Sequence, residues 1–287
     1  MAALLDVRPS PIAGQWYPAD PKRLASSVDA FIDSASLPTI QGEVVAIITP
    51  HAGHRYSGPV AGYAFAALRG LQPELVAVIS PMHYLAAPPL LTTAHEAYAT
   101  PLGDIPIDSD ALAALDAELH LTAGIGVTAV RSDPEHSLEI VLPFLQRALN
   151  NAFRLLPVMV RDPSPWVTQA LGKALAKVLS GRPVLLVAST DLSHFYPKTI
   201  AQELDTEMLR RVEAFDPQGV LDAEEEGKGF ACGRGAVATV LWAARDLGAD
   251  RVRLLHYATS GEVTGDYSQV VGYGAAVVLR SGPPRDG

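Results

Sequence analysis

The 287-residue chain is 48% hydrophobic and carries a formal charge of -9 with no run of Lys or Arg. That balance argues against nucleic acid or an anionic membrane as partner, since both require a basic footprint, and leaves a small-molecule substrate or a protein. Folding at this length buries roughly three quarters of the unfolded surface, and no Ser-, Gly- or charge-rich linker divides the chain, so one α/β domain over residues 1–287 is expected.

The single cysteine, Cys232, excludes an intrachain disulfide and suits a reducing compartment. The first residues lack the apolar core of a signal peptide, and no apolar run nears the ~18 residues of a membrane span, so cytoplasmic residence is expected.

Residues 13–20 are turn-rich and aromatic, and Trp16 and Tyr17 read as packing over the sheet. Asp20 is the expected N-cap, and Pro21 the first position, of a helix over residues 21–31. Val44 to Ile48 then forms an apolar, mostly β-branched strand that Thr49-Pro50 stops, because proline cannot continue a central ladder. Ligands of open α/β sheets bind at that edge, which singles out His51. His54 follows as a loop histidine, and a helix is expected over residues 59–68. Leu75 to Ile79 repeats the pattern, running through Pro81 to His83. Residues 90–94 and 98–107 look like a hairpin excursion and 109–119 a helix, while His95 and His120 join no convergent pattern.

Asp133-Pro134-Glu135-His136-Ser137 predicts a helix start, with Asp133 as cap, Pro134 in the first turn and Glu135 at the positive end. Leu138, Val141, Leu142 and Leu145 continue at helical spacing, and Pro143 should kink the helix. If this start points at the strand exits, Glu135 and His136 join the site, chiefly as hydrogen-bonding partners behind the ligands. Strands over 153–160 and 184–188 bracket a helix over 165–179, a βαβ alternation that supports an α/β layer fold. The second strand runs into Ser-Thr-Asp191-Leu-Ser-His194, where Asp191 has the spacing of a cap that fixes the backbone presenting His194.

Helices over 201–214 and 217–226 end in three glutamates that read as a solvated face. Cys232 then stands at the start of a helix over 236–247, beside Arg234, which predicts a lowered pKa and a thiolate. Strands over 251–258 and 269–279 close the chain, and packing suffices to explain His256 within the first.

Three histidines at strand exits with a thiol at a helix start point to a metal site, for imidazole and thiolate suit late first-row metals. A Cys-nucleophile hydrolase using Cys232 and His194 stays open beside it. The set Ala13-Gly-Gln-Trp-Tyr-Pro, Pro50-His51-Ala-Gly, Ser80-Pro-Met-His83, Glu135-His136-Ser, Asp191-Leu-Ser-His194, Ala231-Cys232-Gly-Arg234 and Val271-Gly-Tyr-Gly resembles the Memo family, including AmmeMemoRadiSam system protein B. That family is similar to the class III extradiol dioxygenases. The resemblance implies a central, mostly parallel or mixed sheet covered by helices. It also implies His51, His83 and Cys232 as metal ligands and His194 as a non-ligating acid/base near Asp191; Glu135, His136 and Arg234 are placed behind these by their own sequence positions. Fe(II) is the metal implied first, with copper or zinc after it, and a radical SAM protein and an AMMECR-type protein are the implied partners. Cys232 replaces the dioxygenase carboxylate, and His54 stands where a tyrosine is expected, so a metal-holding binding protein without turnover is the other reading.

Overall fold

The computed structural model describes residues 6–149 and 151–282. Its strands in chain order are β1 (Val7–Arg8), β2 (Glu43–Thr49), β3 (Leu75–Pro81), β4 (Leu90–Thr93), β5 (Ala97–Tyr98), β6 (Ile105–Pro106), β7 (Thr128–Val130), β8 (Arg154–Val160), β9 (Val184–Ser189), β10 (His194–Tyr196), β11 (Arg251–Thr259) and β12 (Val270–Arg280). The principal helices are α1 (Pro21–Ser34), α2 (His54–Ala66), α3 (Ser109–Ala123), α4 (Leu142–Ala148), α5 (Pro165–Leu179), α6 (Lys198–Glu213), α7 (Pro217–Glu225) and α8 (Arg234–Asp246).

Four apolar runs, β2, β9, β3 and β8 in that spatial order, pair in parallel at the centre of a nine-stranded sheet. A parallel strand covered on both faces has no solvent side, which is why β3 is a continuous apolar run buried at every residue. Its Val76 and Val78 meet the core beneath α1, α2 and α4, whereas Leu75, Ala77 and Ile79 meet the core beneath α3, α5 and α8. Antiparallel strands flank this centre: β12 lies against β2 and carries β10 and β11 along its other edge, and β4 lies against β8. The expected hairpin of residues 90–94 with 98–107 is not formed: β4 joins the main sheet between β8 and β7, and a shorter hairpin, β5–β6, pairs through β5 with β1 in a separate three-stranded sheet. The fold is therefore the expected α/β layer arrangement with a mixed sheet.

Two helical elements also differ from the sequence reading. Helix α2 starts at His54 and carries Pro59 in its interior, so His54 is a buried helix residue and not a loop residue. Close packing on α1 holds it there: a Cβ on Gly62 would stand 2.3 Å from the Phe31 carbonyl oxygen. The expected helix start at Asp133 is absent. Residues 133–138 run as loop and turn into a short 3₁₀ segment, Glu139–Val141, and α4 begins at Leu142 with Pro143 in its first turn, where its missing N–H removes no bond and produces no kink. The physical reason is that the Asp133 carboxylate is engaged by the Arg8 guanidinium and the Glu135 carboxylate by His83.

Candidate metal centre

The parallel strands end on one edge, and three of the four ends deliver a side chain there. His51 follows β2 by two residues, His83 follows β3 by two, and Asp191 follows β9 by two. Because β12 runs antiparallel to β2, its beginning reaches the same edge and supplies Val271 and Tyr273. These residues line a cavity of about 510 Å³ together with Gln15, Trp16, Tyr56, His136 and His194. Another cavity, of about 480 Å³, opens at the opposite end of the strands, but its Arg182 and Arg280 are already paired with Asp108 and Glu43. Only the first gathers chemistry.

One donor atom from each of His51, His83 and His136 lies within 4.8 Å of the other two. Nitrogens sharing one ion at about 2.1 Å each stand no more than ~4.2 Å apart, so small side-chain rotations bring the set to bonding distance. The rings pack accordingly: His83 and His136 stack with centroids 4.9 Å apart, and His51 meets both edge-on at 5.3 and 5.5 Å.

Hydrogen bonds fix which nitrogens are free. Ser189 Oγ donates its one hydrogen to the Ser137 carbonyl at 2.6 Å, so its contact with His51 Nδ1 at 3.0 Å must be accepted from the ring. His51 therefore carries its proton on Nδ1 and presents the Nε2 lone pair. Glu135 does the same for His83, with Oε1 accepting from Nδ1 at 2.9 Å and Oε2 from the backbone N–H at 2.6 Å. Oε1 also takes the N–H groups of His136 and Ser137. Burial works against the charged form of Glu135, yet these bonds hold its carboxyl well below the ordinary range. Burial and the neighbouring histidines push His51 well below its ordinary value, and burial brings His136 to about 4. Imidazoles fixed by hydrogen bonds at Nδ1, as His51 and His83 are, with an anionic carboxylate behind His83, suit a late first-row metal ion.

The other expected residues are also at this edge, with altered roles. His194 lines the cavity and donates Nδ1–H to the Leu192 carbonyl at 2.8 Å, which leaves Nε2 free, while burial lowers its pKa. It lies on β10 beside Phe195, whose φ of 62° accompanies a register irregularity against β12. Asp191 does not cap the backbone of His194. Its Oδ1 accepts from the N–H groups of His51 and Ala52 at 2.7 and 3.3 Å, and burial pushes it up to about 7.

Cys232 Sγ stands 3.1 Å from His51 Nε2 but falls outside the mutually close histidine set. The expected thiolate is overturned: burial and then Asp191 raise the thiol well above its ordinary pKa, and Arg234 points away to Glu224 at 2.5 Å. Desolvation here outweighs the helix start. The thiol's imidazole neighbour is His51 and not His194, so a nucleophile–base pair of Cys232 with His194 is not formed. Trp16 is likewise not simple packing, since its ring tilts over His136 at 4.1 Å and forms a cavity wall, whereas Tyr17 is core.

Residues without a sequence signal complete the surroundings. Arg8, wholly buried, binds Asp133 and Glu139, and Glu139 also accepts from Tyr17 at 2.6 Å and Ser10 at 2.5 Å. Neither the Val-Arg-Pro context of Arg8 nor the Ser-Leu-Glu context of Glu139 marks them in sequence.

The fold and site together define an α/β protein with a candidate three-histidine metal centre at the carboxyl edge of a parallel sheet core. A family model described as Memo-like protein matches residues 8–277, and the chain belongs to the Memo family. It is 33% identical over 273 residues to a MEMO1 family protein of Nitrosopumilus maritimus, covering 94% of this chain and 98% of that one. It is 36% identical over 281 residues to a MEMO1 family protein of Methanopyrus kandleri, again covering 94% and 98%. Among solved structures, an uncharacterized protein from Escherichia coli K12 is similar with a TM-score of 0.49 and 15% identity, over 82% of this chain and 100% of that one.

Proposed function

We propose that the protein binds a divalent late first-row metal ion, Fe(II) foremost, on His51, His83 and His136, and that it carries out oxygen-dependent, dioxygenase-like chemistry on a small organic substrate in the adjoining cavity. The observation that carries this reading is the convergence of three imidazoles, two of them held at Nδ1 by Ser189 and Glu135 so that Nε2 is left as the donor atom. When bound, the metal would supply redox capacity and a Lewis-acid centre.

The chain's own residues supply the rest. His194 Nε2 is the free base that takes a substrate proton, and its Nδ1–H bond to Leu192 keeps that nitrogen unprotonated. Asp191 braces the backbone on which His51 stands. Trp16 and Tyr273 provide flat apolar walls that favour a planar organic substrate and exclude water. The test is metal content and oxygen uptake of anaerobically purified protein against a panel of small phenolic and organic substrates. Stoichiometric iron and substrate-dependent uptake are expected, and no metal retained at equimolar level would end the reading.

One contact favours a second reading. The Cys232 sulfur, 3.1 Å from His51 Nε2, can approach the same ion, and a sulfur donor shifts preference toward copper or zinc in a metal-holding binding protein without turnover. Copper or zinc in place of iron, with no oxygen uptake, would select it. Partnership with a radical SAM protein and an AMMECR-type protein rests on the family resemblance and is tested by co-purification.

A further inference from the structure

The segment that supplies Glu135 and His136 has no regular secondary structure to hold it, being loop and turn between β7 and the 3₁₀ segment. Such a stretch ordinarily follows its own local preferences. It is instead held by one side chain 125 residues away. Arg8 Nε and Nη2 take the Asp133 carboxylate in a fork at 3.0 and 2.9 Å, Nη2 also reaches the carbonyls of Asp133 and Glu135 at 3.1 and 2.9 Å, and Nη1 binds Glu139 at 2.6 Å. The guanidinium therefore touches both ends of the segment and the main chain of Glu135 itself. All of these groups are buried. The backbone of Arg8 is in turn fixed by β1 pairing with β5, and its guanidinium lies over the Tyr98 ring at 4.8 Å.

We infer that Arg8 is a positioning residue for the metal centre: it sets the path of residues 133–139 so that Glu135 meets His83 and His136 meets His51. This rests on the metal-binding reading above. The planar fork is essential, because lysine offers a point charge that cannot engage Asp133, Glu139 and the Glu135 carbonyl together. The cluster also matters for sign. One guanidinium faces two carboxylates, Asp133 and Glu139, so it offers no surplus positive charge to neutralise Glu135. The negative charge of Glu135 is left for the histidine cluster.

Co²⁺ titration of the full-length protein, read by its visible absorption bands, tests the inference. Arg8→Lys should bind Co²⁺ about tenfold or more weakly and shift the bands, as disturbed supporting partners do in metal sites. Leu171→Ala, a cavity variant on the opposite face of the sheet, should lose stability while keeping wild-type affinity and bands. A folded Arg8→Lys protein with wild-type affinity and bands overturns the proposal, and so does an equal change in Leu171→Ala. If Arg8→Lys does not fold, Asp133→Asn carries the test, since it takes the charge from the fork that Arg8 makes and leaves Glu135 and the histidines unaltered. A folded Asp133→Asn with unchanged Co²⁺ affinity and bands overturns it likewise. Wild-type protein that binds no Co²⁺ refutes the metal reading itself, an outcome distinct from the others.

Discussion

Replacing Glu135 by Gln probes the centre with a single atom change. Oε1 accepts three N–H groups, from His83 Nδ1, His136 and Ser137, whereas Oε2 accepts one, the His83 backbone N–H at 2.6 Å. The amide of glutamine should keep its oxygen at the threefold position and turn its NH₂ toward His83 N–H. Two donors then face each other in a buried place, at a cost of about 1–3 kcal/mol, and the remaining acceptor has lost its charge. Relief comes from moving the main chain at His83, which takes the ring out of line with His51 and His136. The expected result is a Co²⁺ affinity lower by roughly 10- to 100-fold, equivalent to about 1.4–2.8 kcal/mol. Isothermal titration measures the affinity, and ¹⁵N imidazole shifts report whether His83 still carries its proton on Nδ1. Unchanged affinity with an unchanged His83 tautomer would refute the role given to Glu135.

Ser189→Ala should leave the buried His51 Nδ1 without its acceptor, giving a mixed tautomer in ¹⁵N spectra and about tenfold weaker metal binding; a single retained tautomer would contradict the assignment. His194→Ala should keep wild-type metal content and lose turnover by about 10²- to 10⁴-fold, and an emptied site on elemental analysis would make His194 a ligand. His54 tests acid sensitivity. Burial lowers its pKa from 6.5 to about 4, so the folded state binds its proton later than the unfolded state as pH falls. Its stability contribution is full above about pH 6.5 and is lost on descending to about pH 4, on the order of 3 kcal/mol in all. His54→Phe, placed among Tyr17 and Phe144, should reduce the loss of stability between pH 7 and pH 5 by about 2 kcal/mol in urea unfolding; an unaltered pH slope would count against it.

Which parts of this arrangement can be read from the chain follows from the range of the forces involved. The exits at His51 and His83 are legible because a β-branched apolar run stopped by proline is a local signal, and helix α5 begins and ends where its pattern places it. His136 as a close neighbour of His51 is not legible, since the loop that carries it is shaped by Arg8 and not by periodicity. Cys232 shows the same limit in its electrostatics. The helix start and Arg234 are visible in sequence and suggest a thiolate, but Glu224 takes the arginine and burial decides the proton. Asp191 has a cap's spacing to His194, yet the strand order puts the N–H groups of β2's exit closer to its carboxylate.

The position of β12 has a consequence for biosynthesis. β2 is among the first strands to leave the ribosome, yet one of its two ladder partners is β12, made roughly 220 residues later. At about 5–20 residues per second, that edge of β2 waits on the order of ten seconds or more for its mate. A bare, apolar strand edge of this kind invites pairing with other chains, so a nascent chain stalled before Val270 is the form of this protein that most needs a chaperone. Since Tyr273 on the same late strand also walls the cavity, the candidate metal pocket closes only once β12 has been made.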